Sequence, residues 1–227
     1  MIRVHGVSKS FGAARPALRN VSLRVEDGEF TALTGPGGSG KTTLFRLLVG
    51  ELQPDCGSVV VAGRNLSRLD AAGIAELRRE IGQVFEEPRL IAGLTLLDNV
   101  SLPAEVQGRD RATARRMAME ALGRVGLEAA AAERPGDLCG GDRQKASVAR
   151  ALCTRPALLL ADEPTLGLDP DEAMEVLKVL TQACRDGATV LMATHDLEAL
   201  SVVRGRVLVL HRGRLDDGSE LLQDLHA

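Results

Sequence analysis

Residues 35–42 read Gly35-Pro36-Gly37-Gly38-Ser39-Gly40-Lys41-Thr42. This is the spacing G-x-x-x-x-G-K-[ST]. Glycines at these places let backbone N–H groups converge on phosphate oxygens, and a helix starting here points its partial positive charge at the same spot. The flanks agree. EFTALTG before the loop reads as an apolar strand, and Leu44, Leu47 and Leu48 recur at helical spacing as far as Gly50, a helix-ending residue. Lys41 is placed to reach β and γ phosphates, and Thr42 to offer its hydroxyl to Mg²⁺. The alternative, a glycine-rich turn with no ligand, gives no reason for Lys-Thr at its end.

Outward from the loop, Ile2, Val4, Val21, Leu23 and Val25 alternate as in a half-exposed sheet, with an Asp27-Gly28 turn before EFTALTG. GSVVVAG (57–63) predicts a strand, AAGIAELRR (71–79) a helix and IGQVF (81–85) a strand. From 86 to 150 the strand pattern stops, and TLLDNVSLPAEVQG, DRATARRMAMEALGRVG and DRQKASVARAL read as helices. Ala129–Ala132 is read as helix or loop. Strands return at 157–162, 188–194 and 206–211, separated by helices over about 171–184 and 196–202. Continuous apolar strands between amphipathic helices predict a parallel sheet covered on both faces, with a helical subdomain inserted in the chain.

Net charge is −3, and no run of five Lys or Arg occurs, which argues against a nucleic-acid surface. The richest basic stretch, Arg109 to Arg116, carries Asp110 and reads as the wet face of a helix. With four Phe and no Trp or Tyr, the core is aliphatic, and stacking on a ligand falls to Phe11, Phe30, Phe45 or Phe85. Cys56, Cys139, Cys153 and Cys184 form no CxxC pair and are expected to be reduced, buried or half-buried thiols. MIRVHGVSKSF lacks an apolar leader, and no apolar run reaches the ~20 residues that span a bilayer, so a cytoplasmic protein is expected.

Three further stretches carry candidate chemistry. LLLADE (158–163) ends an apolar strand in two acids, so Asp162 is placed to hold Mg²⁺ through water and Glu163 to act as general base. ATHDLE puts His195 after another strand, where it could orient a water or bond a γ-phosphate. His5, His211 and His226 read as surface residues. In LCGGDRQKASVARAL (138–152) two glycines open a helix whose N-terminus suits an anion.

These motifs together resemble the ATPase subunits of ABC transporters over nearly the whole chain: Walker A at 35–42, Walker B at 158–163, the D-loop GLDP at 167–170, the switch His195 and the signature segment, in order. The finer resemblance is to the group of the cell-division ATPase FtsE and the lipoprotein-releasing (LolD) and MacB-type ATPases. MIRVHGVSKSF, REIGQVFEEPRLIAGLTLLDNVSLP and VLMATHDLEAL look most like FtsE. The resemblance implies one α/β cassette over 1–227: a P-loop NTPase (RecA-like) core with a mostly parallel sheet and an N-terminal antiparallel β subdomain (1–85 and 151–227), and an α-helical signature subdomain (86–150). It implies ATP and Mg²⁺ as cofactors and an ATPase reaction. Phe11 would stack on adenine, and Gly35, Pro36, Gly37, Gly38, Ser39, Gly40, Lys41, Thr42 and Thr43 would hold phosphates. Thr42, Glu86 and Asp162 would hold metal, with Glu163, His195 and Lys41 catalytic. Cys139, Gly140, Gly141 and Asp142 would contact ATP on a second copy, with Asp169 across the seam, which implies a homodimer on ATP binding. No nucleic acid is implied. The membrane partner, a separate permease-like chain, would be FtsX-like and would hold the cassette peripherally at the inner membrane face.

Several residues depart from the family pattern. Aligned with the usual VFQ, VFEEPRL puts Glu86 where the Q-loop has Gln, and Gln83 points elsewhere. A carboxylate there is a hard Mg²⁺ ligand but adds charge beside a polyanion; one such pair at about 4 Å and effective dielectric ~20 costs about 4 kcal/mol unless offset. Cys139 replaces the signature Ser, Asp142 a Gln or Glu, Lys145 an Arg, and Leu166 a small residue. The leading expectation is an ATP-hydrolysing subunit that drives a membrane partner, FtsE-like, with a MacB- or LolD-type transporter as runner-up. A dimerisation switch with weak hydrolysis is a second reading, and a soluble ATPase acting on DNA or ribosomes a third.

Overall fold

The computed structural model describes residues 1–12, 16–203 and 205–217, with the side chains of Leu197 and Asp217 outside the description. His226 therefore lies outside the described residues. The chain divides into two compact units, 1–78 with 189–227, and 79–188.

The first unit opens with an antiparallel sheet. Strand β1 (Ile2–Lys9) pairs on one side with β2 (Leu18–Val25). Ile2 and Val4 face inward opposite Val25 and Leu23, while Arg3 and His5 face out, as the alternation predicts. Strand β3 (Phe30–Thr34) is buried throughout and leads into the glycine loop and helix α1 (Lys41–Leu48). The helix ends at Val49, followed by Gly50 at φ +65°. Strand β4 (Cys56–Val61) pairs with the other side of β1 and turns through Gly63 into β5 (Arg64–Asn65). A Cβ on Gly57 would lie 2.4 Å from the His5 carbonyl oxygen, so the irregular crossing of β1 and β4 there requires glycine. Helix α2 (Ala71–Glu80) buries Ile74 and Leu77.

The second unit pairs β6 (Ile81–Val84) in parallel with β7 (Leu158–Asp162). Between them come α3 (Leu96–Val106), α4 (Arg111–Arg124) and α5 (Gly140–Leu152), the helical stretch expected for 86–150. The alanine run 129–132 is turn rather than helix. Each of these helices has a side-chain cap: Thr95 accepts from the Asp98 N–H, Asp110 from Thr113, and Cys139 from Asp142. A Cβ on Gly82 would sit 2.5 Å from the Ala151 carbonyl oxygen, so only glycine lets α5 approach β6 this closely. Helix α6 (Pro170–Arg185), capped by Asp169, buries Val176, Leu177, Leu180 and Ala183 along one face.

The chain then returns to the first unit. Strand β8 (Thr189–Ala193) runs parallel to β3, helix α7 (Leu197–Val202) follows an Asp196 cap, and β9 (Arg206–His211) runs parallel to the other side of β3. Strand β10 (Arg214–Asp217), which the sequence pattern did not announce, turns back antiparallel on β9 through Arg212-Gly213.

The expected burial of all four cysteines needs correction. Cys153 is buried and Cys184 half-buried, but Cys56 and Cys139 are exposed. Cys56 starts an edge of β4, and Cys139 caps a helix start that projects outward. Burial pushes the Cys153 thiol pKa up to about 11, with Glu120 adding to the effect, which makes it inert.

Candidate active site

The first unit assembles the phosphate loop from strand ends. Because β3 pairs in register with β8 and β9, Leu33 lies opposite Ala193 and Thr34 opposite Val209. The loop at Gly35 and the turn at His195 thus leave neighbouring strand ends, and the Thr194 N–H donates to the Leu33 carbonyl at 3.1 Å. His195 is exposed, and the Thr194 hydroxyl accepts from the Asp196 N–H at 3.0 Å, which shapes its turn.

The loop itself is closely held. A Cβ at Gly35 (φ +144°) would lie 2.0 Å from the Leu210 carbonyl oxygen, and one at Gly40 (φ +113°) 2.5 Å from that of Ala17. Ser39 donates its N–H to the Pro36 carbonyl at 3.1 Å. Lys41 is buried, and its Nζ donates to the Gly35 carbonyl at 2.8 Å, folding the ammonium over the loop. Thr42 is exposed and Thr43 half-buried at the start of α1.

Two observations show that these residues fit a phosphate. The N-cap of α1 is Gly40, with no side-chain hydrogen bond, whereas α3 to α7 are capped by Thr, Asp or Cys side chains. No side-chain cap occupies the start of α1, which suits an external acceptor there. In the same loop Ser39 Oγ is buried without a hydrogen-bond partner, which is costly unless a ligand or water supplies one.

Of the four phenylalanines, Phe30 and Phe45 are 7% exposed and belong to the core. Phe85 carries the Arg89 guanidinium 4.3 Å from its ring centroid. Phe11 is 48% exposed, with Lys9 Nζ 6.0 Å from its ring. Asp55 anchors the base of this segment, accepting from Lys9 Nζ at 2.8 Å and the Ser10 N–H at 2.7 Å. The Lys9 hydrogen bond, then the Ser10 amide, hold the Asp55 carboxyl below its usual pKa.

The second unit gathers the acids. Val84 lies opposite Ala161, so Phe85 and Glu86 leave β6 where Asp162 and Glu163 leave β7. Asp162 and Glu163 are buried, while Glu86 and Glu87 are exposed. Glu163 has φ +47°, a left-handed conformation that costs a non-glycine residue about 1–3 kcal/mol and persists where the surroundings enforce it.

Helix α5 holds the Glu86 segment from behind. The Arg150 guanidinium donates to the Arg89 and Pro88 carbonyls, both at 2.7 Å, and Gln144 Nε2 reaches the Phe85 carbonyl at 3.4 Å. Burial, then the nearby Arg89 charge, lower the Arg150 pKa. The buried amide of Asn99 ties the following loop to α3 by accepting from the Ile91 N–H at 2.7 Å. Sequence reasoning missed these supports. A legible sign existed in α5, where Gln144 and Ser147 occupy apolar-stripe positions with Val148 and Ala151.

At the start of α5, Cys139 and Gly140 are exposed and Gly141 is buried. Cys139 Sγ accepts the Asp142 N–H at 3.3 Å, a weak version of the bond a hydroxyl would make. Cys139→Ser should therefore stabilise the chain by about 0.5–1 kcal/mol in urea unfolding. Equal or lower stability would contradict the weak-cap account. Asp169 is exposed and accepts the Glu172 N–H at 2.9 Å. Among the described residues no group of three His, Cys, Asp or Glu forms a metal cluster, and no helix is long and apolar enough to cross a membrane.

A phosphate loop with an open helix start, buried acids at a strand end and a glycine-opened helix define a nucleotide-hydrolysing cassette. The chain belongs to the ABC transporter family, whose profile matches residues 18–166. It is an ABC-type ATPase, with ATP and Mg²⁺ as its cofactors. It is 38% identical to the cell division ATP-binding protein FtsE of Streptococcus pneumoniae, over 95% of this chain and 94% of that one. It is 39% identical to the methionine import ATP-binding protein MetN of Mesorhizobium japonicum, over 95% of this chain and 59% of that one. Among solved structures it superposes on the dimeric, post-hydrolysis ATP-binding cassette MJ0796 bound to ADP and Pi, with TM-score 0.89, 33% identity, and 96% and 98% of the two chains covered. The α/β cassette with a mostly parallel sheet and an antiparallel N-terminal sheet is thus the family's fold.

Proposed function

We propose that this chain is an FtsE-like subunit that works as an ATP-driven homodimer, peripheral at the membrane, and powers a separate FtsX-like membrane partner. The observation that carries the reading is the residue pattern: MIRVHGVSKSF, REIGQVFEEPRLIAGLTLLDNVSLP and VLMATHDLEAL look most like FtsE, and over 95% of this chain it is 38% identical to an FtsE and 39% identical to a MetN. Identity is similar for both, so the methionine-importer type is the second reading.

In this reading Gly35 to Thr43 bind the phosphates, Lys41 reaches the transferred group, and Phe11 stacks on the base. Thr42, Asp162 and Glu86 are the residues that would hold Mg²⁺. Held there, Mg²⁺ would neutralise developing charge on the phosphates. Glu163 takes a proton from the attacking water, and His195 orients that water. Cys139, Gly140, Gly141, Asp142 and Asp169 face the nucleotide of the second copy.

The partner is tested by adding detergent-solubilised membrane subunits to the purified cassette. An FtsX-type subunit should bind it and change its ATP turnover, and a methionine-importer permease should not. The reverse pattern would overturn the reading.

Glu86 makes a separate prediction. Glu86 comes two residues after Val84 of β6, as Glu163 comes two residues after the paired Ala161 of β7, and its carboxylate is a hard ligand for Mg²⁺. The turnover ratio of Glu86→Gln to wild type should be about 0.1–0.3 at limiting Mg²⁺ and rise to one or above at saturation, where the lost ligand no longer limits. A ratio independent of Mg²⁺ would remove Glu86 from the metal's surroundings.

A further inference from the structure

An ion network joins α5 to α6 and has no place in the roles above. Lys145 lies on the second turn of α5 with its side chain 12% exposed. Its Nζ is 3.0 Å from Glu172 Oε1, 3.7 Å from Asp142 Oδ1 and 3.9 Å from Glu175 Oε2. Burial disfavours the ammonium, but the hydrogen bond to Glu172 and the charges of Glu172, Asp142 and Glu175 outweigh it. Together they raise its pKa above the ordinary lysine value.

Glu172 is the centre of this network. Its two carboxylate oxygens lie 2.5 and 2.8 Å from where a Cβ on Gly141 would be, so its head rests on the backbone that opens α5. Its own N–H is held by Asp169 Oδ1 at 2.9 Å, at the start of α6. The caps at Cys139 and Asp169 act only within their own helices. The Lys145–Glu172 pair joins the two helix starts.

We propose that Lys145 is a positioning residue that, through Glu172, fixes the Cys139–Gly141 turn and the Asp169 turn as one preformed edge for docking a second ATP-loaded copy of this chain. The inference rests on the homodimer reading. Two helix starts that moved independently would lose that freedom on docking, and fixing them beforehand lowers the cost of association. The nucleotide that a chain binds with its own phosphate loop does not depend on this edge.

The test uses the full chain carrying Glu163→Gln, to slow turnover, and measures three quantities: the ATP-dependent dimer dissociation constant by sedimentation, single-chain affinity for a fluorescent ATP analogue, and melting temperature. Lys145→Met and Glu172→Gln should each weaken the dimer about tenfold, with the double variant no weaker than either alone. Lys145→Arg should restore most of the loss, and single-chain ATP affinity should stay within about twofold throughout. The proposal is overturned if melting temperature falls while dimer affinity does not, or if ATP affinity falls in step with dimerisation. It is also overturned if the two single effects add. If the parent carrying Glu163→Gln alone stays monomeric in ATP, the homodimer reading fails and takes the inference with it, and that parent separates the two failures.

Discussion

With Glu163 as the proposed general base, Glu163→Gln is expected to lower Mg²⁺-dependent ATP hydrolysis by about 10²–10⁴-fold, while ATP still binds. The substitution keeps the size of the side chain and removes its capacity to accept a proton. Glu163 is 8% exposed at the end of β7, and its φ of +47° takes the backbone out of the strand conformation at that residue. A residue held in that conformation has a fixed side-chain direction, as a general base requires. Steady-state phosphate release measured beside equilibrium nucleotide binding checks this. Turnover within tenfold of wild type would mean that another group takes the proton.

Gly35→Ala should cost about 3 kcal/mol of stability and abolish measurable nucleotide binding. Two independent obstacles coincide there. The φ of +144° is one that side-chain-bearing residues rarely adopt, and the new methyl would lie 2.0 Å from the Leu210 carbonyl oxygen. Leu210 cannot retreat, since β9 is paired with β3 on one side and β10 on the other. The loop must therefore move, and the first-turn N–H groups of α1 move with it. Gly63→Ala is the control: φ is +75° but nothing lies within 4 Å of the new methyl, so about 1 kcal/mol is expected. Urea unfolding of both variants measures the difference. Equal losses would show that the Leu210 contact is not the cause.

Local patterns made much of this fold legible. Many strand stretches are either alternating, as over Ile2–His5 of β1 and Val21–Val25 of β2, or buried without a break, as in β3, β7 and β8, and both patterns follow from burial on one face or two. The helix over 96–106 was readable through Pro103 because its apolar spacing continues across it. Strand β10 was not readable, since RLDD has one apolar residue and is held by pairing with β9. The phosphate loop, the two acids and His195 each follow a strand directly, so their placement came from sequence order. Their supports did not. Arg150 reaches back 61 residues to the Arg89 carbonyl, and Lys145 reaches Glu172 on another helix. Contacts at such separations leave no periodicity to read, beyond polar residues sitting in an apolar stripe. Cys139 was legible as a departure from the family pattern, but its exposure follows from its position outside the helix that it caps.

In the proposed homodimer each chain supplies half of two composite sites. ATP turnover per wild-type chain as a function of chain concentration, at saturating ATP and Mg²⁺ and alongside sedimentation, tests this. Turnover per chain should rise with concentration and level off as the dimer forms. A constant rate per chain from a monomer across the whole range would contradict it.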